Sequence, residues 1–176
     1  FKQKTAYEIP KRDWSSDVCS SDLREPELAA EVTMGPVADF DFDAAILFSD
    51  LLFPLEALGF GLSYADGPPK LDGSVSLERI AAFRPHDDAL QRLQFQGDAM
   101  RAIRTRLPAG KGLIGFVGGP WTLFVYALEG THGGSLSRSK AALDLYRRFA
   151  DRMVPLLKDN IRLQRSEEHT SELQSR

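Results

Sequence analysis

Two short apolar runs, AAILF at 44–48 and LIGFV at 113–117, constrain the fold of this chain more than any other feature. Neither alternates polar with apolar residues. Each is closed off by turn-forming residues: Asp43 before the first, Ser49 and Asp50 after it, Gly118 and Gly119 after the second. Continuous apolar runs of this length mark parallel-sheet strands that are covered on both faces. A parallel pair cannot be joined by a tight turn. It needs a crossover, normally helical, and that crossover is right-handed. The residues between the two runs supply one.

Helical patterns alternate with the runs. Residues 26–38 are expected to form a helix, because Pro26 suits a first helical turn and Leu28 and Val32 recur four apart. Residues 51–58 read as a short apolar helix that Gly59 ends. Residues 61–76 carry turn chemistry (Asp66, Gly67, Pro68, Pro69, then Asp72 and Gly73) and are expected to be an excursion with little regular structure. One amphipathic helix is expected over 87–107, with Leu90, Leu93, Ala99, Met100, Ile103 and Leu107 on one side, broken by Pro108 and Gly110. After the second run, Pro120 opens a helix over 121–128 and a Gly-rich loop covers 130–137. Residues 139–164 then place Ala142, Leu145, Tyr146, Phe149, Met153, Leu156 and Ile161 at helical spacing, with Pro155 as a place to kink. This order predicts an α/β fold. A closed eight-stranded barrel takes roughly 250 residues, so two strands predict part of a barrel or sheet.

With 43% hydrophobic and 27% charged residues, the 176-residue chain has enough apolar material for a packed core and no signature of disorder. A net charge of -3 argues against a nucleic-acid partner, which would need a basic stripe. No apolar stretch approaches the roughly 18 residues of a membrane span, so no membrane partner is expected; the scarcity of Cys is compatible with the cytoplasmic location expected here. The single Cys allows neither an intrachain disulfide nor a Cys-rich metal centre.

The two ends differ from the rest. Residues 1–23 scatter charge, Ser and aromatics without an apolar face, and 165–176 (RSEEHTSELQSR) are polar throughout. WSSDVCSSDL and KQKTAYEI back-translate to pieces of one standard short-read sequencing adapter strand, and RSEEHTSELQS to its complement, in the orientations that opposite ends require. Residues 1–23 and 165–176 are therefore expected to be adapter-derived, and 24–164 to be the biological segment, cut from a longer gene. Cys19 falls in the first end, so that segment has no thiol.

In parallel α/β folds, functional side chains gather at the carboxyl ends of strands. That points to Ser49 and Asp50 after the first run, and to 118–121 with Tyr126 beyond it after the second. Asp50 has two readings: the cap of the following helix, or a carboxylate in a largely apolar pocket that faces a cationic group or a donor. Tyr126 is either a core aromatic or a cleft residue. Gly118 and Gly119 read as a device for tight packing, since neither a GxGxxG pattern nor a following Lys-Ser/Thr is present. His86 and His132 stand in polar surroundings and are expected to face solvent. With no Cys and no third His, 24–164 is not expected to hold a metal.

The same stretches carry a family likeness. FDAAILFSDLLFPLEALG at 42–59 and LIGFVGGPWTLFVYALEG at 113–130 closely resemble two signature blocks of uroporphyrinogen decarboxylase, and PELAAEVTMGPV at 26–37 resembles the stretch just before the first. The likeness covers nearly all of 24–164, with 61–83 its least distinctive part. It implies the N-terminal portion of a (β/α)8 TIM barrel from a homodimeric parent. That parent would remove the four acetate carboxylates of uroporphyrinogen III to give coproporphyrinogen III, acting on a small tetrapyrrole with no cofactor. By the same resemblance Asp50, the aspartate of the FSD motif, lies in the cleft against the pyrrole NH groups and stabilises the transition state. Tyr126, the tyrosine of the PWTLxxY block, lines the cleft and hydrogen-bonds substrate, and Phe48 forms part of the cleft wall. The family's arginine-rich N-terminal motif and its later cleft serine and histidine have no counterpart here, and 24–164 offers no dense arginine cluster of its own. The segment alone is therefore expected to be inactive. Two other readings stand beside this one: a corrinoid-linked methyltransferase of the same superfamily, and a fragment with no autonomous function.

Overall fold

The computed structural model describes residues 22–64, 69–130 and 135–169. In chain order these form a 3-10 turn (Asp22–Arg24), α1 (Pro26–Phe40), β1 (Ala44–Ile46), α2 (Phe53–Leu58), β2 (Leu62–Ser63), β3 (Lys70–Leu71), α3 (Leu77–Ala81), α4 (His86–Gln91), α5 (Gln94–Arg106), β4 (Gly112–Ile114), α6 (Pro120–Glu129), α7 (Ser137–Ala141) and α8 (Leu143–His169). β1 and β4 are parallel neighbours, with Ala44 opposite Gly112, Ala45 opposite Leu113 and Ile46 opposite Ile114. Everything from α2 to α5 is the crossover between them. The two apolar runs are thus adjacent strands of a partial β/α barrel, as their character predicts.

The strands are not covered on both faces. Ala45, Leu47 and Leu113 are buried against Ala29, Ala30, Ala99, Met100 and Ile103 of α1 and α5. Ile46, Phe48 and Ile114 point the other way and are exposed. Successive strand residues alternate between faces, and among the described residues only one face has helices to meet it. An apolar run reports that both faces are apolar. It cannot report that the second face, which a closed barrel turns inward, has its partners within the same stretch of chain.

Spacing misplaces the inner side of α1. Its buried residues are Ala29, Ala30, Thr33 and Val37, while Leu28 is 43% exposed. α1 packs chiefly on α5, and small side chains on the shared face let two helices approach closely. Thr33 also pins α1 to the end of β1: its hydroxyl donates to the Ala29 carbonyl at 2.7 Å and accepts from the Phe48 backbone N–H at 2.9 Å.

The helix expected over 87–107 is two helices, α4 and α5, with Leu93 between them at φ -97°, ψ 0°. The break lets α4 lie on α2 and α8 while α5 turns to meet α1. The stretch read as one helix from 139 is likewise divided at Ala142, and α8 then runs unbroken through Pro155 to His169, five residues beyond Gln164. The 61–76 excursion holds a two-residue antiparallel pair, β2 with β3, and α3 follows it, capped where the Arg79 N–H donates to the Ser76 hydroxyl at 3.1 Å. Gly59 ends α2 at φ +121°, which a side chain would strain. α2, α4, α6 and α8 enclose the larger core, built around Phe53, Phe124, Phe149, Leu93 and Leu156. Among the described residues no helix is long and apolar enough to cross a membrane.

Candidate active site

Asp50 sits where β1 gives way to α2. Its Oδ1 accepts the Leu52 N–H at 2.7 Å, and its backbone carbonyl accepts the Phe53 N–H at 3.4 Å. The carboxylate therefore braces the turn into α2 from two residues before it, although the residue at the N-cap itself is Leu52. The other oxygen is turned to a different partner: Oδ2 accepts the Tyr64 hydroxyl at 2.6 Å. One carboxylate is thus fixed at both oxygens, one on backbone and one on a phenol. A charge held this way needs little reorganisation when a positive charge develops near it.

Tyr64 is a residue that sequence reasoning missed. It follows β2 in the excursion, 14 positions from Asp50, and no motif singles it out. Burial is the main reason its phenol is pushed far above the ordinary tyrosine range; the hydrogen bond to Asp50 and that carboxylate's charge add to it. It stays a proton donor to Asp50 at any physiological pH.

Tyr126 lies in α6, half-buried against the larger core. Its phenol is also raised, by burial first and by the charge of Asp50 second. α6 is held there by ring contacts, with Trp121 edge-on to Tyr146 at 5.0 Å and Phe124 against Phe149 at 5.5 Å. Phe48 is 41% exposed, on the sheet face shared with Ile46 and Ile114. Ser49 is tied back into the protein, since Gln96 Nε2 donates to its Oγ at 2.8 Å. Gln96 and Gln164 are both buried, and Gln164 Nε2 donates to the Phe116 carbonyl at 3.3 Å. The ends of both strands are thereby fixed to α5 and α8.

The two glycines after the second run differ. A Cβ on Gly118 would stand 2.8 Å from Leu123 Cδ2 and 3.1 Å from the Leu51 carbonyl oxygen, so this residue is a packing device. At Gly119 the nearest atom is Thr122 Oγ1 at 3.7 Å, an ordinary contact. His86 does not simply face solvent: it is half-buried, and its Nε2 lies 2.9 Å from Asp159 Oδ2 on α8. The packing of α4 on α8 brings them together. His132 lies outside the described residues. Among the described residues no group of three His, Cys, Asp or Glu could hold a metal ion.

The chain has no dense run of arginines, but packing brings three of them to one groove. Arg84 and Arg92, eight residues apart, and the distant Arg24 line one groove of about 280 Å³ with Phe53, Glu56, Phe60 and Phe95. Spacing along the chain could not show this, because the groove is made by three separate segments.

The sequence profile of the family described as uroporphyrinogen decarboxylase matches residues 19–163. The uroporphyrinogen decarboxylase of Drosophila virilis is 40% identical over 143 residues, covering 78% of this chain and 36% of that protein. That of Alkalilimnicola ehrlichii is 41% identical over 134 residues, covering 73% of this chain and 37% of that protein. The chain therefore spans little more than a third of the length of these curated relatives. Among solved structures, a methyltransferase from Methanosarcina mazei aligns with a TM-score of 0.65 at 20% identity, covering 84% of this chain and 44% of that one. At that identity the likeness is one of fold.

Proposed function

The chain belongs to the uroporphyrinogen decarboxylase family, and from that premise we propose that its full-length parent removes the acetate carboxylates of uroporphyrinogen III to give coproporphyrinogen III. One observation carries the reading: Asp50 at the carboxyl end of β1, fixed at both oxygens. Loss of carbon dioxide from an acetate needs a place for the electron pair of the breaking C–C bond. A pyrrole protonated on its ring is cationic and can take that pair itself. The acetate carbon then gains a proton and is left as a methyl group. A carboxylate aimed at the pyrrole NH groups stabilises the positive charge as it forms, most effectively where water is excluded. Asp50 fills that role, Tyr126 hydrogen-bonds the substrate, and Phe48 walls the cleft. Tyr64 holds the carboxylate in place.

The parent is read as a cytoplasmic homodimer with a small-molecule substrate. Residues 24–164 are read as its contribution to the barrel, and 1–23 and 165–176 as translated adapter; reading the untrimmed genomic locus checks this. The fold likeness to a methyltransferase gives no chemistry to set against the decarboxylase.

The purified chain is expected to form no coproporphyrinogen from uroporphyrinogen. A chimera in which 24–164 replace the matching stretch of a full-length relative is expected to do so. Asp50→Asn in that chimera should lower kcat at least about 100-fold, the scale for loss of a preorganised electrostatic stabiliser. A chimera that folds and shows equal turnover with Asp50→Asn would sink the assignment.

A further inference from the structure

We propose that the groove between α2 and the junction of α4 with α5 is a carboxylate-binding site formed by Arg84 and Arg92, and that it takes an acidic side chain of the substrate. The second clause rests on the tetrapyrrole reading above; the first does not.

The three arginines of the groove are in different states. Arg24 is committed. Its Nη2 reaches both oxygens of Glu56, at 2.7 and 2.8 Å, and its guanidinium lies 5.0 Å from the centre of the Phe53 ring. Glu56 and Arg24 therefore satisfy each other. Arg84 is half committed: Nη1 donates to the carbonyls of Glu56 and Ala57 at 2.9 and 3.2 Å. Those bonds orient the guanidinium on the C-terminal turn of α2 and leave its charge without a carboxylate partner among the described residues. Arg92 is exposed and makes no side-chain hydrogen bond or ion pair among the described residues, although Asp88 stands one helical turn before it and lines the adjoining groove with Arg84 and Gln91. Two guanidiniums thus face one space, one of them held in place in advance. The planar guanidinium fork matches a carboxylate better than any other cationic side chain does.

The groove of about 280 Å³ has room for a carboxylate side chain, and Arg84 and Arg92 also line the adjoining groove of about 570 Å³, through which the rest of a larger ligand can extend. Phe95, only partly buried, offers the stem of such a side chain an apolar contact. Position supports the substrate assignment. The Gln96 to Ser49 hydrogen bond fixes the first turn of α5, and with it Phe95, at the carboxyl end of β1. Phe53, whose backbone N–H donates to the Asp50 carbonyl, lines the groove. The groove is therefore beside Asp50 and on its end of the sheet.

Calorimetric titration of the 176-residue chain with benzenetricarboxylate at low salt tests the site itself. Arg92→Ala is expected to weaken binding about tenfold, the scale for one charged hydrogen-bonding partner. Asp88→Asn, which removes the competing carboxylate, is expected to tighten it about twofold. Both residues are exposed, and matching circular dichroism spectra would show that each variant keeps the fold. No binding, or equal affinity with Arg92→Ala, overturns the proposal. Absorbance titration with uroporphyrin, the oxidised planar counterpart of the substrate, tests the second clause: Arg92→Ala should weaken that binding too. If benzenetricarboxylate binding depends on Arg92 while uroporphyrin binding is absent or indifferent to it, the carboxylate site stands and its assignment to the tetrapyrrole falls.

Discussion

The contact between Tyr64 and Asp50 concentrates most of what is unusual in this chain into two side chains. A phenol raised in the folded state is one whose neutral form folding favours. Its contribution to stability is complete below the ordinary tyrosine value of about 10, and is lost as pH rises from there toward the folded value. Tyr64→Phe is expected to cost about 1 kcal/mol at neutral pH, the net value of one hydrogen bond, in urea unfolding. It should also flatten the loss of stability between roughly pH 10 and 11. Equal stability at neutral pH with an unchanged alkaline slope would mean that Tyr64 does not hold the carboxylate. The sequence singles out Asp50 as a candidate, a carboxylate just past an apolar run, and Tyr126 as another. It does not single out Tyr64, because the role of that residue depends on where a two-residue strand pair happens to return the chain.

At the scale of elements, the sequence located strands and helices well and divided them poorly. Leu93 and Ala142 look like helix interior, because a helical period survives a change of axis when both pieces face a common core. At Leu93 the two pieces share α8 but differ in their other partner, α2 for α4 and α1 for α5. α3 was within reach of the sequence: Ser76 caps it and Glu78 stands in its first turn, a pattern that favours a helix start. The turn from β4 into α6 rests on Gly118, whose missing side chain admits Leu123 and the Leu51 carbonyl. Gly118→Ala is expected to cost about 1–3 kcal/mol, the usual range for an overpacked site, while Gly119→Ala at its open position should cost far less. Thermal or urea unfolding of the two variants side by side checks the difference.

For the whole molecule, the dominant fact is an apolar sheet face without cover among the described residues. β1 and β4 pair only with each other there, and Ile46, Phe48 and Ile114 stand exposed above the pair. Open strand edges beside an apolar face template further pairing. The chain is expected to self-associate with rising concentration in sedimentation velocity, and Ile46→Lys to suppress this by placing a charge on that face. A monomer at all concentrations, with a single sharp melt, would show instead that the segment is a self-sufficient fold.

Residue order alone determined the strand–helix alternation, the parallel pairing of the two apolar runs, the family, and Asp50 and Tyr126 as candidate residues. Each of these is written in local character: apolar continuity, period, turn chemistry, and blocks of consecutive residues. Tertiary structure alone decided which strand face is covered, that Tyr64 bonds Asp50, and that Arg24, Arg84 and Arg92 share a groove. Those depend on distances between segments far apart in the chain, and such distances are set only when helices of fixed length pack against a sheet of fixed twist.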